Sequence, residues 1–233
     1  MIEANYQQVL ERIVSATARA GRAPESVRLV VVTKGQPLVA VQRVVSAGAR
    51  CLGENYVDEA IDKIVSLGGH DIEWRMIGHV QSRKAREVAG SFTWCDSLDS
   101  VKLAVRLDRF AGELGRVLPV LLECNVSGEG SKFGWPAWDE ACWPALAAEL
   151  DAVLALPNLQ IRGLMTMPPF FDDPERARPF FRRLRSLAAY LSQRFPNGDW
   201  CELSMGMSGD FEAAIQEGAT LVRIGTAIMG PRS

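Results

Sequence analysis

Cysteine is too scarce and too poorly paired in this chain of 233 residues to staple a fold. There are five, at positions 51, 95, 124, 142 and 201, an odd number with no Cys-x-x-Cys pair. That pattern excludes a disulfide framework and a structural zinc site, and it fits a reduced, cytoplasmic compartment. Four of the five fall in or beside predicted strands, where a thiol serves as a small hydrophobe. Charge of either sign is not in excess: 26 Lys and Arg stand against 28 Asp and Glu, a formal net charge of -2. Long-range attraction to nucleic acid or another polyanion therefore has no basis, although a local anion site needs only backbone dipoles and one or two arginines. No apolar run approaches the length of a membrane span. The opening Met1-Ile2-Glu3-Ala4-Asn5 has neither the basic region nor the apolar core of a secretion signal. Neither a composition shift nor a flexible linker divides the chain, so residues 1–233 read as one domain.

What is present is ordinary for a globular protein, 48% hydrophobic and 23% charged, with a regular alternation of elements. Residues 5–20 carry Tyr6, Val9, Leu10, Ile13 and Val14 at helical spacing and stop at Gly21. Apolar strands are predicted at 29–33, 50–53, 73–77, 92–95, 119–126, 160–165, 200–204 and 221–224. Helices are predicted between them at 37–47, up to about 67, and at 81–89, 98–114, 138–155 and 175–194. A further helix starts at Asp210, and a long polar loop covers 127–137. The run Leu29-Val30-Val31-Val32 is what a parallel strand covered on both faces requires. Eight strands alternating with helices at intervals of roughly 20–30 residues predict a single (β/α)₈ TIM barrel, a fold of about 250 residues.

In such a barrel the C-terminal ends of the strands carry chemistry. That face collects Thr33-Lys34-Gly35, Glu54-Asn55, Gly78-His79, Asn125 and Met165-Thr166. Lys34 directly follows a buried strand. Desolvation there lowers an amine pKa, and a neutral amine is what Schiff-base chemistry needs. The competing reading is a lysine that snorkels to solvent from the rim, and Lys34 taken alone favours it. His79 is a candidate general base, against the commoner case of a hydrogen-bonded structural histidine. Asn125, Asn55 and Glu123 are weaker candidates. Arg83, Lys84 and Arg86 read as a solvated helix face, and Trp135, Trp138 and Trp143 as packing around the long loop. Two late turns share a different pattern. Leu203 to Asp210 and Val222 to Thr226 both run from apolar strand through small and hydroxyl residues into a helix start. Either turn alone is explained by tight geometry. Both together, after the last two strands of a barrel, suit a phosphate dianion.

The combination Val32-Thr33-Lys34, Gly53-Glu54-Asn55-Tyr56-Val57, Trp74 to Gln81, Ser131-Lys132-Phe133-Gly134, Arg162 to Met167, Leu203 to Ser208 and Val222 to Gly230 resembles the pyridoxal phosphate homeostasis protein family. That family is similar to the N-terminal barrel domain of alanine racemase, a fold-type III pyridoxal phosphate (PLP) protein. The resemblance covers nearly the whole chain. It implies that Lys34 holds PLP as a Schiff base and that Ser208, Gly225 and Thr226 hold its phosphate. It further implies that Arg223 faces the pyridine nitrogen and that Asn55 lines the pocket. Two departures stand out: Gly35 occupies a position where the family more often has Thr, and the loop through Trp135 and Trp143 is longer and richer in Trp.

A guanidinium stays charged and donates no full proton to the pyridine nitrogen, so the ring remains a weak electron sink. A racemase also needs a base on the opposite face, a Tyr from a second domain in alanine racemase. This chain stops just past the barrel, and of its three tyrosines (Tyr6, Tyr56 and Tyr190) only Tyr56 lies near a strand end. The expectation is a monomeric cytoplasmic carrier without catalytic residues or metal, which buffers PLP and supplies it to PLP-dependent apoenzymes. A weak amino-acid racemase and a cofactor-free Schiff-base aldolase are the alternatives. The latter gives Arg223 no role.

Overall fold

The computed structural model describes residues 1–68 and 71–231. Its strands are β1 (Arg28–Val32), β2 (Cys51–Glu54), β3 (Glu73–Met76), β4 (Trp94–Leu98), β5 (Leu118–Asn125), β6 (Trp135–Pro136), β7 (Leu159–Met165), β8 (Glu202–Ser204) and β9 (Leu221–Ile224). The helices are α1 (Ile2–Arg19), α2 (Leu38–Ser46), α3 (Val57–Ser66), α4 (Ala85–Ser91), α5 (Val101–Glu113), α6 (Trp143–Leu154), α7 (Arg178–Arg194), α8 (Phe211–Gln216) and α9 (Thr226–Met229).

All strand pairings are parallel, and eight strands close on themselves. The ring runs β1-β2-β3-β4-β5-β7-β8-β9, and β9 returns to β1 through Leu29 opposite Val222 and Val31 opposite Ile224. This is the α/β barrel predicted from the eight apolar runs. The two-residue β6 hangs outside the ring, with Trp135 opposite Cys124 of β5. It lies inside what reads as loop in the sequence. Trp135 earns its burial by donating its indole N–H to the Leu98 carbonyl at 3.0 Å, which pins the loop to the barrel wall.

Elsewhere the elements differ from expectation in local ways. Leu98, expected to open a helix, ends β4 and is fully buried; α5 begins only at Val101, after Ser100 caps it by accepting from the Leu103 N–H. The helix expected from 138 begins at Trp143, behind a single 3₁₀ turn capped by Asp139. Another 3₁₀ turn, Ser82–Lys84, precedes α4.

The core has two compartments. Between the sheet and the helices lies one continuous apolar layer, in which α1 contributes Tyr6, Val9 and Ile13. Inside the ring, Val30, Leu121, Met165 and Leu221 pack together. The interior also holds charge. Arg75 is fully buried, donates to both oxygens of Asp96 at 2.9 and 3.1 Å and to Glu73 at 2.6 Å, and lies over the Trp94 ring at 4.0 Å. Pairing and stacking together make that burial tolerable. Among the described residues no helix is long and apolar enough to cross a membrane.

Candidate functional site

The C-terminal ends of β1, β2, β8 and β9 build one concave site. Beyond Val32 the chain stays in the ladder for one more residue, Thr33, whose N–H donates to Gly53 O at 3.0 Å. It then turns at once: Gln36 N–H donates to Thr33 O at 3.2 Å, and Gly35 takes φ +66°. Lys34 therefore sits, half-buried, on the corner of a tight turn rather than along a strand.

Opposite it, the two late turns are joined. After β8, Gly206 takes φ +94°, where a Cβ would come within 2.6 Å of Ala214 Cβ and 2.9 Å of Phe211 Cα, so only glycine fits. Asp210 closes this turn by accepting the Met207 N–H at 2.6 Å. Its neighbour Ser208 accepts the Ala227 N–H at 3.4 Å, which brings its hydroxyl to the first turn of α9. Gly225 precedes α9 with no side-chain cap, and a Cβ there would meet Val32 Cβ at 3.3 Å. Two hydroxyls, Ser208 and Thr226, thus converge with the start of a helix.

Arg223, on β9, is 3% exposed. It donates to Ser204 Oγ at 2.7 Å and to the Thr166 carbonyl at 2.8 Å. Burial lowers its pKa, opposed by Asp96, Glu123 and Asp210 and assisted by Arg75; a guanidinium in this setting still carries its charge. Asn55, just past β2, keeps its side-chain oxygen buried without a hydrogen-bond partner. Its backbone is pressed against Gly78, where a Cβ would lie 2.5 Å from the Asn55 carbonyl oxygen.

Lys34, Asn55, Ser208, Arg223, Gly225 and Thr226 all line one open cavity of about 290 Å³. The structure places around one cavity the six residues that the family resemblance implies, but not the other strand-end candidates His79, Asn125 and Glu123. Sequence reasoning missed the apolar lip, Met167 and Phe170, the latter 82% exposed. Also missed was a buried charged cluster behind Lys34, formed by Glu54, Lys63 and Glu59.

Other strand-end residues lie elsewhere. His79 stacks on Phe133 at 3.7 Å and pairs with Asp99 at 2.9 Å. Asn125 shapes the following loop by accepting the Ser127 and Gly128 N–H groups. Glu123 lines an adjoining cavity of about 260 Å³ together with Lys132 and Phe133, and Met167 borders both cavities. Among the described residues no group of three or more His, Cys, Asp or Glu is placed to hold a metal ion.

Residues 4–233 match the family described as alanine racemase, N-terminal domain. The pyridoxal phosphate homeostasis protein of Escherichia coli is 42% identical, over 98% of this chain and 95% of its own length. The chain belongs to the pyridoxal phosphate homeostasis protein family. The relative of that name from Pseudomonas aeruginosa is 43% identical, over 99% of this chain and 96% of its own. A solved structure of PipY from Synechococcus elongatus, with PLP bound, matches at 40% identity and a TM-score of 0.80, covering 95% of this chain and 100% of PipY. Alanine racemase of Clostridium difficile shares the fold: the TM-score is 0.71 at 14% identity, and 97% of this chain corresponds to 56% of that enzyme. This member of the homeostasis family thus has a barrel comparable to the racemase's, with a cavity at the mouth of the ring.

Proposed function

We infer that this protein is a single-domain carrier of pyridoxal 5′-phosphate acting in PLP homeostasis, holding the cofactor covalently through its aldehyde on the Lys34 amine. The observation that carries the reading is the convergence of six side and main chains on one cavity: an amine, two hydroxyls, a bare glycine, a fixed guanidinium and a side-chain amide. Those groups fit the chemistry of PLP. Ser208, Gly225 and Thr226 would hold its phosphate, Arg223 would face the pyridine nitrogen, and Asn55 would line the pocket. When bound, PLP supplies an electron-withdrawing ring conjugated to whatever amine its aldehyde holds. The relatives named for PLP homeostasis and the PLP-bound PipY support the assignment.

A carrier rather than an enzyme is supported by what lines the cavity. Among the described lining residues, Lys34 and Arg223 are the charged side chains, and Arg223 keeps its charge. Tyr6 is buried on the inner face of α1, Tyr190 packs on Trp143, and exposed Tyr56 is not among the lining residues. A cytoplasmic monomer that passes PLP to apoenzymes completes the reading.

The test is the colour of the protein after incubation with PLP, followed by borohydride reduction and peptide mapping. The expected result is a yellow protein with the label fixed on Lys34, and neither colour nor label in Lys34→Ala. Label on another lysine, or a coloured Lys34→Ala variant, overturns the assignment.

A further inference from the structure

The turn that carries Lys34 is not held in shape by its own four residues. The Gln36-to-Thr33 hydrogen bond with Gly35 at φ +66° has the pattern of a type II turn, which needs a positive φ at its third residue. A glycine there adopts either sign of φ. The same four residues can also form a type I turn, in which the Lys34–Gly35 peptide is turned over, so that the Lys34 carbonyl and the Gly35 N–H face the opposite way while the φ of Lys34 stays the same.

Contacts from outside the turn choose between the two. Glu59 of α3 accepts the Gly35 N–H at 2.7 Å, which fixes the very peptide that would invert. Lys63, one helical turn further on, donates to the Thr33 carbonyl at 2.7 Å. Lys63 also donates to Glu59 at 2.5 Å and to Glu54 at 2.7 Å, and the Thr33 hydroxyl donates to Glu54 at 2.7 Å. Backbone on both sides of Lys34 is thereby tied to one buried group of charges. Such a group is costly to bury, and an apolar cluster of the same volume would serve stability as well or better. Its polar character is explained by the backbone groups it holds.

We propose that Glu59 and Lys63 are positioning residues, a latch that keeps the Lys34–Gly35 peptide in the orientation that presents Lys34 to the cofactor cavity. The inference rests on the reading of Lys34 as the amine that takes PLP.

Glu59 is the residue to change, because its side chain is partly exposed whereas Glu54 is fully buried. Glu59→Ala removes the acceptor, and Glu59→Gln keeps an oxygen in its place. Three quantities are read: amide exchange at Gly35, acetylation of Lys34 relative to exposed Lys102 in the cofactor-free protein, and the rate of covalent PLP attachment. In Glu59→Ala, loss of a hydrogen bond to a charged acceptor predicts Gly35 exchange faster by about ten- to a hundredfold and PLP attachment slower by a similar factor. The relative acetylation of Lys34 changes, the protein still unfolds in one cooperative transition at a modestly lower midpoint, and Glu59→Gln recovers most of the attachment rate. Gly35→Ala, which penalises the positive φ directly, shifts Lys34 acetylation and attachment in the same direction. Wild-type attachment and acetylation in Glu59→Ala overturn the latch; if that variant does not fold, wild-type values in Gly35→Ala overturn it. Failure of the site reading is separate, because it shows as PLP attached to a Lys34→Ala protein, whereas exchange and acetylation are measured without cofactor.

Discussion

Glu123 makes the stability of this barrel depend on pH in a direction opposite to that of most carboxylates. It ends β5 at 5% exposure, and its Oε2 is buried without a partner. Burial first, and then Asp99, raise it from 4.5 to about 7, against the attraction of Arg223. Between those two pH values the folded chain keeps a proton that the unfolded chain has lost. The stability contributed by this group is therefore complete below about pH 4.5 and falls as pH rises through about 7. At about 1.4 kcal/mol per pH unit, a gap of roughly 2.5 units costs about 3 kcal/mol above pH 8. Solvent screening takes little off that figure at so low an exposure. Glu123→Gln keeps the shape and cannot ionise. It should match wild type within about 0.5 kcal/mol at pH 4.5 and exceed it by about 3 kcal/mol at pH 8.5. Urea denaturation of the cofactor-free protein, followed by tryptophan fluorescence at constant ionic strength, measures the difference. An advantage that fails to grow with pH, or a wild type more stable than the variant at pH 8.5, refutes the reasoning.

Ser208→Ala and Thr226→Val should each weaken PLP retention about ten- to a hundredfold by removing one hydrogen bond to a dianion, while covalent attachment persists. Equal affinity of the wild type for pyridoxal and PLP, by spectral titration, would show that the phosphate is held elsewhere. Gly78→Ala drives a Cβ to 2.5 Å from the Asn55 carbonyl oxygen; the expected loss is about 1–3 kcal/mol together with weaker PLP binding, because Asn55 must move. An unchanged denaturation midpoint and affinity would argue against so tight a seam. Holo-protein incubated with L-alanine in deuterated water should show at most slow, one-sided exchange at the α-carbon, since among the described residues no tyrosine, histidine or carboxylate lines the cavity and a general base contributes about 10²–10⁴-fold. D-alanine formed at a turnover near the enzyme median of about 10 s⁻¹ would make the protein a racemase.

The barrel was legible because its strands are short β-branched runs bounded by glycine and polar residues, a pattern that survives without tertiary information. Positions at the ends of those runs were legible for the same reason, which marked Lys34, Asn55 and the two late turns; Arg223, inside a strand, was named only through the family resemblance. Leu98 was not, because an apolar residue next to Asp99 and Ser100 suits a helix start as well as a strand end; the buried pairing with Leu122 decides it. The cluster behind Lys34 was illegible for a deeper reason. In Val57–Ser66 the residues Asp58, Glu59, Asp62 and Lys63 look like one solvated face. That Lys63 is buried depends on Glu54, which reaches it from a neighbouring strand. Charge patterning along one helix cannot reveal a partner on another element. Met167 and Phe170 were missed because an exposed apolar residue in a loop has no periodicity to mark it.

The seam between β1 and β9 has a consequence for how the chain is made. Lys34 follows the first strand of the ring, whereas Ser208, Arg223, Gly225 and Thr226 accompany the last two, nearly two hundred positions later in synthesis. Chains emerge from the ribosome N-terminus first, at about 5–20 residues per second, and pairings this distant in sequence form late. On the proposed reading of the site, a nascent chain displays Lys34 for many seconds before the turns that carry Ser208 and Thr226 exist. On the reading proposed above, selectivity for the phosphorylated vitamer over stray aldehydes arrives only with ring closure. From that moment a ligand gripped from both sides of the seam acts as a clasp, resisting the reopening of the junction that created its own site.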